Sequence, residues 1–157
     1  MTPFYRKLKR NNILLGQSAT SVQLDHAIQR AVLTPDIATM HQGLDTLIGP
    51  RGMRLSGGQV QRTAAARMFV REAELLVFDD LSSALDGETE RRLWEQLLTQ
   101  PERPTCLLVS HRRSVLQQAN QIYLLDDGKL VAQGTAVELL AHSQVFQQLW
   151  TNQNKFQ

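Results

Sequence analysis

Glu74-Leu75-Leu76-Val77-Phe78-Asp79-Asp80, residues 74–80, is the stretch on which the fold turns. Its apolar run is too short for a helix and closes on two acids, so Leu75–Asp79 reads as a buried-type strand that delivers carboxylates to one end of a sheet. Downstream, Gly87–Gln100 carries a helical pattern and Thr105–Val109 a second strand pattern. The three together make a βαβ unit. Strands alternating with helices imply an α/β fold with a mostly parallel sheet and flanking helices, and they put ligand chemistry at the carboxyl ends of the strands.

Moving outward, a short helix over Arg113–Ala119 leads to a strand at Gln121–Leu125, and Asp127-Gly128 turns the chain into Lys129–Gln133 as a hairpin. Thr135 and Glu138 have the spacing of a capping box for a helix over Ala136–Ala141. A last amphipathic helix runs through Val145, Phe146, Leu149 and Trp150; its opposite face holds glutamines rather than lysines, which assigns the aromatics to packing and not to a membrane surface. Upstream, Val22, Ile28, Ala31 and Val32 fall near one face of a helix over 21–33, and Thr34-Pro35 restarts a helix to about Gln42. Gly43–Gly52, with three glycines and Pro50, reads as a loop, after which Ser56 caps a helix from Gly57 to about Glu72.

The chain has 157 residues, the size of about one domain, and its 42% hydrophobic and 20% charged residues are those of an ordinary globular protein. A net charge of +2 does not argue for nucleic acid or an anionic membrane, although Arg6, Lys7, Lys9 and Arg10 all precede the first acid, Asp25. Cys106, the single cysteine, excludes an internal disulfide and a multi-cysteine zinc site and favours a reducing, cytoplasmic setting. No apolar run approaches the roughly 20 residues that span a bilayer, and no targeting segment is expected.

Four features sit at strand ends or helix starts. In Leu55-Ser56-Gly57-Gly58-Gln59 a capping serine precedes two glycines, so backbone N–H groups at a helix N-terminus can approach a phosphate; the plainer alternative is a glycine turn that only starts a helix. Asp79 and Asp80 could hold magnesium and orient an attacking water, or be two solvated acids. Ser83-Ala84-Leu85-Asp86 could be no more than the cap of the following helix. His111, after the strand Thr105–Val109, could donate a hydrogen bond to a phosphate oxygen or lie idle at the surface. His26, His41 and His142 lack partners at metal-ligand spacing.

In this order and spacing the four features resemble the ATP-binding cassette of ABC transporters. Leu55 to Gln59 is similar to its signature motif, Leu75–Asp79 to its Walker B strand, Ser83 to Asp86 to its D-loop, and His111 to its switch histidine. Asn12-Ile13-Leu14-Leu15-Gly16 and Gly43 to Gly49 resemble the helical subdomain of exporter-type cassettes. The resemblance covers roughly residues 11–150. It implies a P-loop NTPase-like fold, with a helical signature-motif subdomain at 11–72, the C-terminal half of a RecA-like core at 73–157 and an unmatched basic start at 1–10. It also implies ATP and Mg²⁺ as ligands, with Asp79 on the metal through water, Asp80 as catalytic base, and Ser56 to Gln59 closing over a partner's nucleotide. The implied partners are a second cassette and a membrane-spanning transporter domain, which would place the chain on the cytoplasmic side of the inner or plasma membrane without direct insertion. Gln59 stands where DNA-repair and chromosome-structure relatives more often have glutamate, which argues against those.

Two departures shape the expectation. The sequence contains no Gly-x-x-x-x-Gly-Lys-Ser/Thr, and its one Gly-Lys pair, Gly128-Lys129, is followed by Leu130. The adenine-stacking aromatic and the Q-loop glutamine of the family would also fall before residue 11, so the N-terminal part of the fold is expected to be missing and the chain to be inactive as an ATPase by itself. In the family the Walker A strand lies between the strands read here at Thr105–Val109 and Gln121–Leu125. Its loss would leave a slot with unpaired backbone and exposed apolar side chains. Asp80 is the second departure, since active members carry glutamate there. The chain is therefore read as a partial ABC-transporter ATPase, the alternative being a non-catalytic remnant or accessory half that at most completes a partner's ATP site.

Overall fold

The chain, seen in a computed structural model, is described over residues 7–49, 52–79, 85–98 and 104–152. It divides into two compact units, residues 1–108 and 109–157.

The first unit is built on α4 (Gly57–Phe69), an alanine-rich helix of good propensity that buries Thr63, Ala65, Ala66, Arg67 and Phe69. Small side chains let α1 (Lys9–Leu14) and α2 (Ser21–Arg30) pack against it. The buried face of α2 is Leu24, Ala27 and Ile28, which corrects part of the expected stripe: Val22 is 60% exposed. Val32 lies beyond the helix at φ 54°. The helix over Thr34-Pro35 also stops early, as α3 (Thr34–Ala38). The segment after it is not all loop. A 3-10 turn at Gly43–Asp45 leads into β2 (Leu47–Ile48), which pairs antiparallel with β1 (Lys7–Leu8) inside the basic start. Gly52 lets the chain double back on β2, because a Cβ there would lie 2.6 Å from the Leu47 carbonyl oxygen.

β3 (Leu75–Asp79), α5 (Gly87–Leu98) and β4 (Thr105–Val109) form the expected βαβ unit, with β3 and β4 as parallel neighbours. The helix packs Trp94 edge-on to Phe78, ring centroids 5.6 Å apart, and turns its charged face outward with Arg91–Glu95 and Arg92–Glu88 pairs. Only one face of β3 is buried. Leu76 and Phe78 point in, whereas Leu75 and Val77 are 52% and 54% exposed, so the strand alternates and is not buried on both sides as its apolar run suggests.

The second unit starts with α6 (Arg113–Leu116), shorter than expected, and continues into β5 (Ile122–Asp126) and β6 (Lys129–Gly134). Asp127 and Gly128 both have positive φ, 46° and 71°, the requirement of the two-residue hairpin turn whose twist matches its strands. α7 (Ala136–His142) opens on the Thr135–Glu138 capping box, and α8 (Gln144–Asn152) places Phe146 at zero exposure in a core with Leu116, Ile122, Leu124 and Leu139. Val145 is a surface residue, not part of that stripe. Among the described residues β3 and β4 form a two-stranded sheet in the first unit and β5 and β6 another in the second, and Leu107, Val109, Tyr123 and Leu125 are exposed. No helix among the described residues is long and apolar enough to cross a membrane.

Candidate functional site

The serine-glycine-glycine segment starts α4 as its composition predicts. Ser56 has extended backbone (φ −66°, ψ 163°) and its Oγ accepts from the Gln59 N–H at 3.2 Å, while the Ser56 N–H donates to Gln59 Oε1 at 3.0 Å. This reciprocal box satisfies two groups that every helix start leaves open. Gly57 and Gly58 follow with their N–H groups at the positive end of a 13-residue helix. Ser56 and Gly57 are exposed, and Leu55, Gly58 and Gln59 are half-buried. The turn is therefore rigid and accessible, the combination an anion site requires.

Two residues outside Leu55 to Gln59 hold this turn from beneath: Arg62, in the continuation of the same motif through Gln61-Arg62, and Asp36, to which the sequence reading assigned no role. Gln59 donates from Nε2 to Asp36 Oδ1 at 2.9 Å, and Arg62 donates from Nη2 to Asp36 Oδ2 at 2.7 Å. The Arg62 and Asp36 side chains are 12% and 15% exposed, so this ion pair is far better shielded from water than an ordinary surface pair. Arg62 shares a helix face with Gln59 at i+3, which a reader of the sequence could have seen. Nothing in spacing points to Asp36, which sits 23 residues before Gln59.

At the carboxyl end of β3, Asp79 is exposed. An exposed carboxylate suits a hydrated magnesium ion, which keeps several of its waters. Among the described residues no cluster of three or more His, Cys, Asp or Glu side chains gathers to hold a metal directly. Leu85 is buried, while Asp86 is exposed and caps α5: its Oδ1 accepts from the Thr89 N–H at 2.9 Å and its Oδ2 from Thr89 Oγ1 at 2.8 Å. Those hydrogen bonds hold the Asp86 carboxyl below its ordinary range, with a smaller contribution from the charge of Arg62. Asp80, Ser83 and Ala84 lie outside the described residues.

His111 belongs to the second unit, exposed in the segment between β4 and α6. The preceding Ser110 accepts from the Arg112 N–H at 3.1 Å through Oγ. The first unit thus joins Ser56, Gln59, Asp36 and Arg62 in one hydrogen-bonded set.

No family model matches the chain. Over 138 residues it is 41% identical to an ATP-dependent lipid A-core flippase of Burkholderia orbicola (strain AU 1054), a match covering 88% of this chain and 23% of that protein. It is 37% identical over 145 residues to the ABC transporter aclQ of Aspergillus oryzae (strain ATCC 42149 / RIB 40), covering 92% of this chain and 18% of that one. Among solved structures, a bacterial Atm1-family ABC exporter with ATP bound superposes at a TM-score of 0.87 with 32% identity, over 96% of this chain and 26% of the exporter. The chain spans about a quarter of the length of these relatives or less.

Proposed function

From the premise that this chain is homologous to the C-terminal part of the ATP-binding cassette of ABC exporters, we propose that it supplies the signature half of an ATP site whose phosphate loop lies on another segment. The observation that carries the reading is the start of α4: a capped, exposed Ser56-Gly57 turn on a long helix, with Gln59 fixed behind it. Such a turn offers a hydroxyl and free N–H groups to a γ-phosphate that approaches from outside, and it needs no rearrangement to do so.

The other residues take the roles their places allow. Asp79 would hold a magnesium ion through water, the ion supplying charge neutralisation at the phosphates. Asp80 would orient the attacking water, and His111 would donate a hydrogen bond to the phosphate that is cleaved. Leu85 and Asp86 would carry the D-loop contact to the partner, with Asp86 rigid because it caps α5. Closure of the site joins two cassettes, and the energy of that closure is passed to a membrane-spanning domain. These 157 residues contain no Gly-x-x-x-x-Gly-Lys-Ser/Thr; in this reading the phosphate loop comes from another segment, and the chain reaches the membrane through its partners.

A complementation assay tests this. The probe is a related exporter cassette that keeps its phosphate loop but whose own signature serine is replaced by arginine, which leaves it unable to complete a site. Adding the full chain should restore Mg-ATP turnover, and the Ser56→Arg chain should not. Equal turnover with both chains, or none with either, overturns the reading.

A further inference from the structure

We propose that Asp36 is the positioning residue of the signature turn: one carboxylate grips Gln59 and Arg62 together and so sets the direction in which α4 presents Ser56 and Gly57. The inference rests on the reading of that turn as a nucleotide-facing surface.

The geometry of the grip is specific. Gln59 is used at both ends of its amide, the oxygen taking the Ser56 N–H and the nitrogen donating to Asp36 Oδ1. Only one orientation of the amide satisfies both, so Asp36 selects the orientation that keeps the capping box closed. The second carboxylate oxygen holds Arg62, nearly one helical turn further along α4. Packing of Thr63, Ala66 and Phe69 already holds the body of α4, and the two attachments of Asp36 add a hold on its first turn and on the turn after it. Ser56 and Gly57 are exposed, so core packing does not fix them.

The other two capping boxes among the described residues show what is particular here. Gln23, behind Thr20, donates to Glu72 at 3.3 Å in an exposed contact. Glu138, behind Thr135, spends Oε2 on both the Thr135 N–H and hydroxyl, at 2.8 and 3.0 Å, and has no proton to pass on to a further acceptor. Of these three boxes, the one at Ser56 alone is backed by a shielded carboxylate that also binds an arginine of the same helix. That carboxylate comes from α3, a five-residue helix too short to persist without its contacts. The grip thus ties α3 to the phosphate-facing end of α4.

The test uses the full chain and two readouts. Amide hydrogen exchange at Gln59 and Val60, whose N–H groups bond to Ser56, is measured in the wild type, Asp36→Ala and Asp36→Asn. Asp36→Ala should speed exchange at these two sites by about tenfold and Asp36→Asn by less, with the Leu139 amide of α7 unchanged as the check on folding. In the complementation assay the loss should fall on kcat by about tenfold, with KM for ATP unchanged because the partner's loop binds the nucleotide. In a Gln59→Ala background Asp36→Ala should cause a smaller loss, the part carried by Arg62 alone. Unchanged exchange at Gln59 and Val60 in Asp36→Ala, or the same turnover loss with and without Gln59, overturns the proposal. Exchange is read on the chain alone, so it decides the grip separately from whether the wild-type chain supports turnover, which decides the reading of the turn.

Discussion

Arg67 donates its Nε–H to the main-chain carbonyl of Asn12 at 2.6 Å, joining the last turn of α4 to α1 across 55 residues of sequence, with Arg67 6% exposed and Asn12 1%. Burial pushes the Arg67 guanidinium below its ordinary pKa, and the charge is tolerated because it satisfies a carbonyl near the end of a six-residue helix. Arg67→Ala removes a buried donor from that carbonyl. The expected cost is about 2 to 3 kcal/mol, read as a lower urea midpoint at unchanged slope. Arg67→Lys should recover only part of it, since a flexible ammonium does not reproduce the guanidinium's fixed donor geometry.

Val32 ends α2 in a conformation that suits glycine. Its N–H bonds to the Gln29 carbonyl at 3.0 Å and the Leu33 N–H to the Ile28 carbonyl at 3.0 Å, the two bonds of a Schellman cap, with Leu33 fully buried behind them. At φ 54° a β-branched side chain is strained. Val32→Asn should therefore raise stability by about 1 kcal/mol, visible as a higher melting temperature. A lower one would show that the half-buried Val32 side chain contributes more by packing than its backbone loses.

These two residues also mark where the sequence was legible. β3, β4 and the start of α5 were readable to the residue because short apolar runs are bounded by charges, glycine or proline, and the capping boxes at Ser56 and Thr135 because their spacing is local. Val22 and Val32 were misplaced because a 3.6-residue period tolerates a shifted face when the alternatives are also apolar. β1 and β2 have two residues each, below the length at which alternation carries a signal. The four motifs were visible from their order. Asp36 was not, because its role comes from a tertiary hydrogen bond to Gln59 that leaves no trace in local pattern.

Gln59→Glu separates capping from positioning. Glutamate closes a box as well as glutamine does, as Glu138 shows, but it would face Asp36 with a second carboxylate in place of a donor. The variant should be less stable than the wild type at neutral pH. Protonating either carboxylate removes the repulsion, so the deficit should shrink as pH falls through the carboxylate range. A deficit independent of pH would count against direct contact between positions 59 and 36.

Acid should loosen the two capped helices for a shared reason. Hydrogen bonds from Thr89 lower the pKa of Asp86, and hydrogen bonds from Thr135 lower that of Glu138. A depressed folded-state pKa gives stability that is complete above the unfolded value and lost as pH falls through the folded one. Melting temperature should thus drop between about pH 5 and about pH 2, and Asp86→Asn with Glu138→Gln, which retain acceptors but do not titrate, should flatten that drop. An identical acid profile in the double variant would assign the pH dependence to other carboxylates.

Asp80 poses the catalytic question most directly, and its answer requires a site with a phosphate loop. Joined behind the N-terminal half of a related exporter cassette, the chain would place the residue after Asp79 at the base position, one methylene short of the glutamate that active members carry. The missing methylene draws the carboxylate back by about 1.5 Å, and a misplacement of about 1 Å can cost on the order of 100-fold in rate. Asp80→Glu in that fusion should raise Mg-ATP turnover while leaving KM for ATP near its starting value, because the change reaches the attacking water and not the bound phosphates. Turnover equal to or below that of the Asp80 fusion would remove residue 80 from the chemistry and leave Ser56 and Gln59 as the functional contribution of the chain.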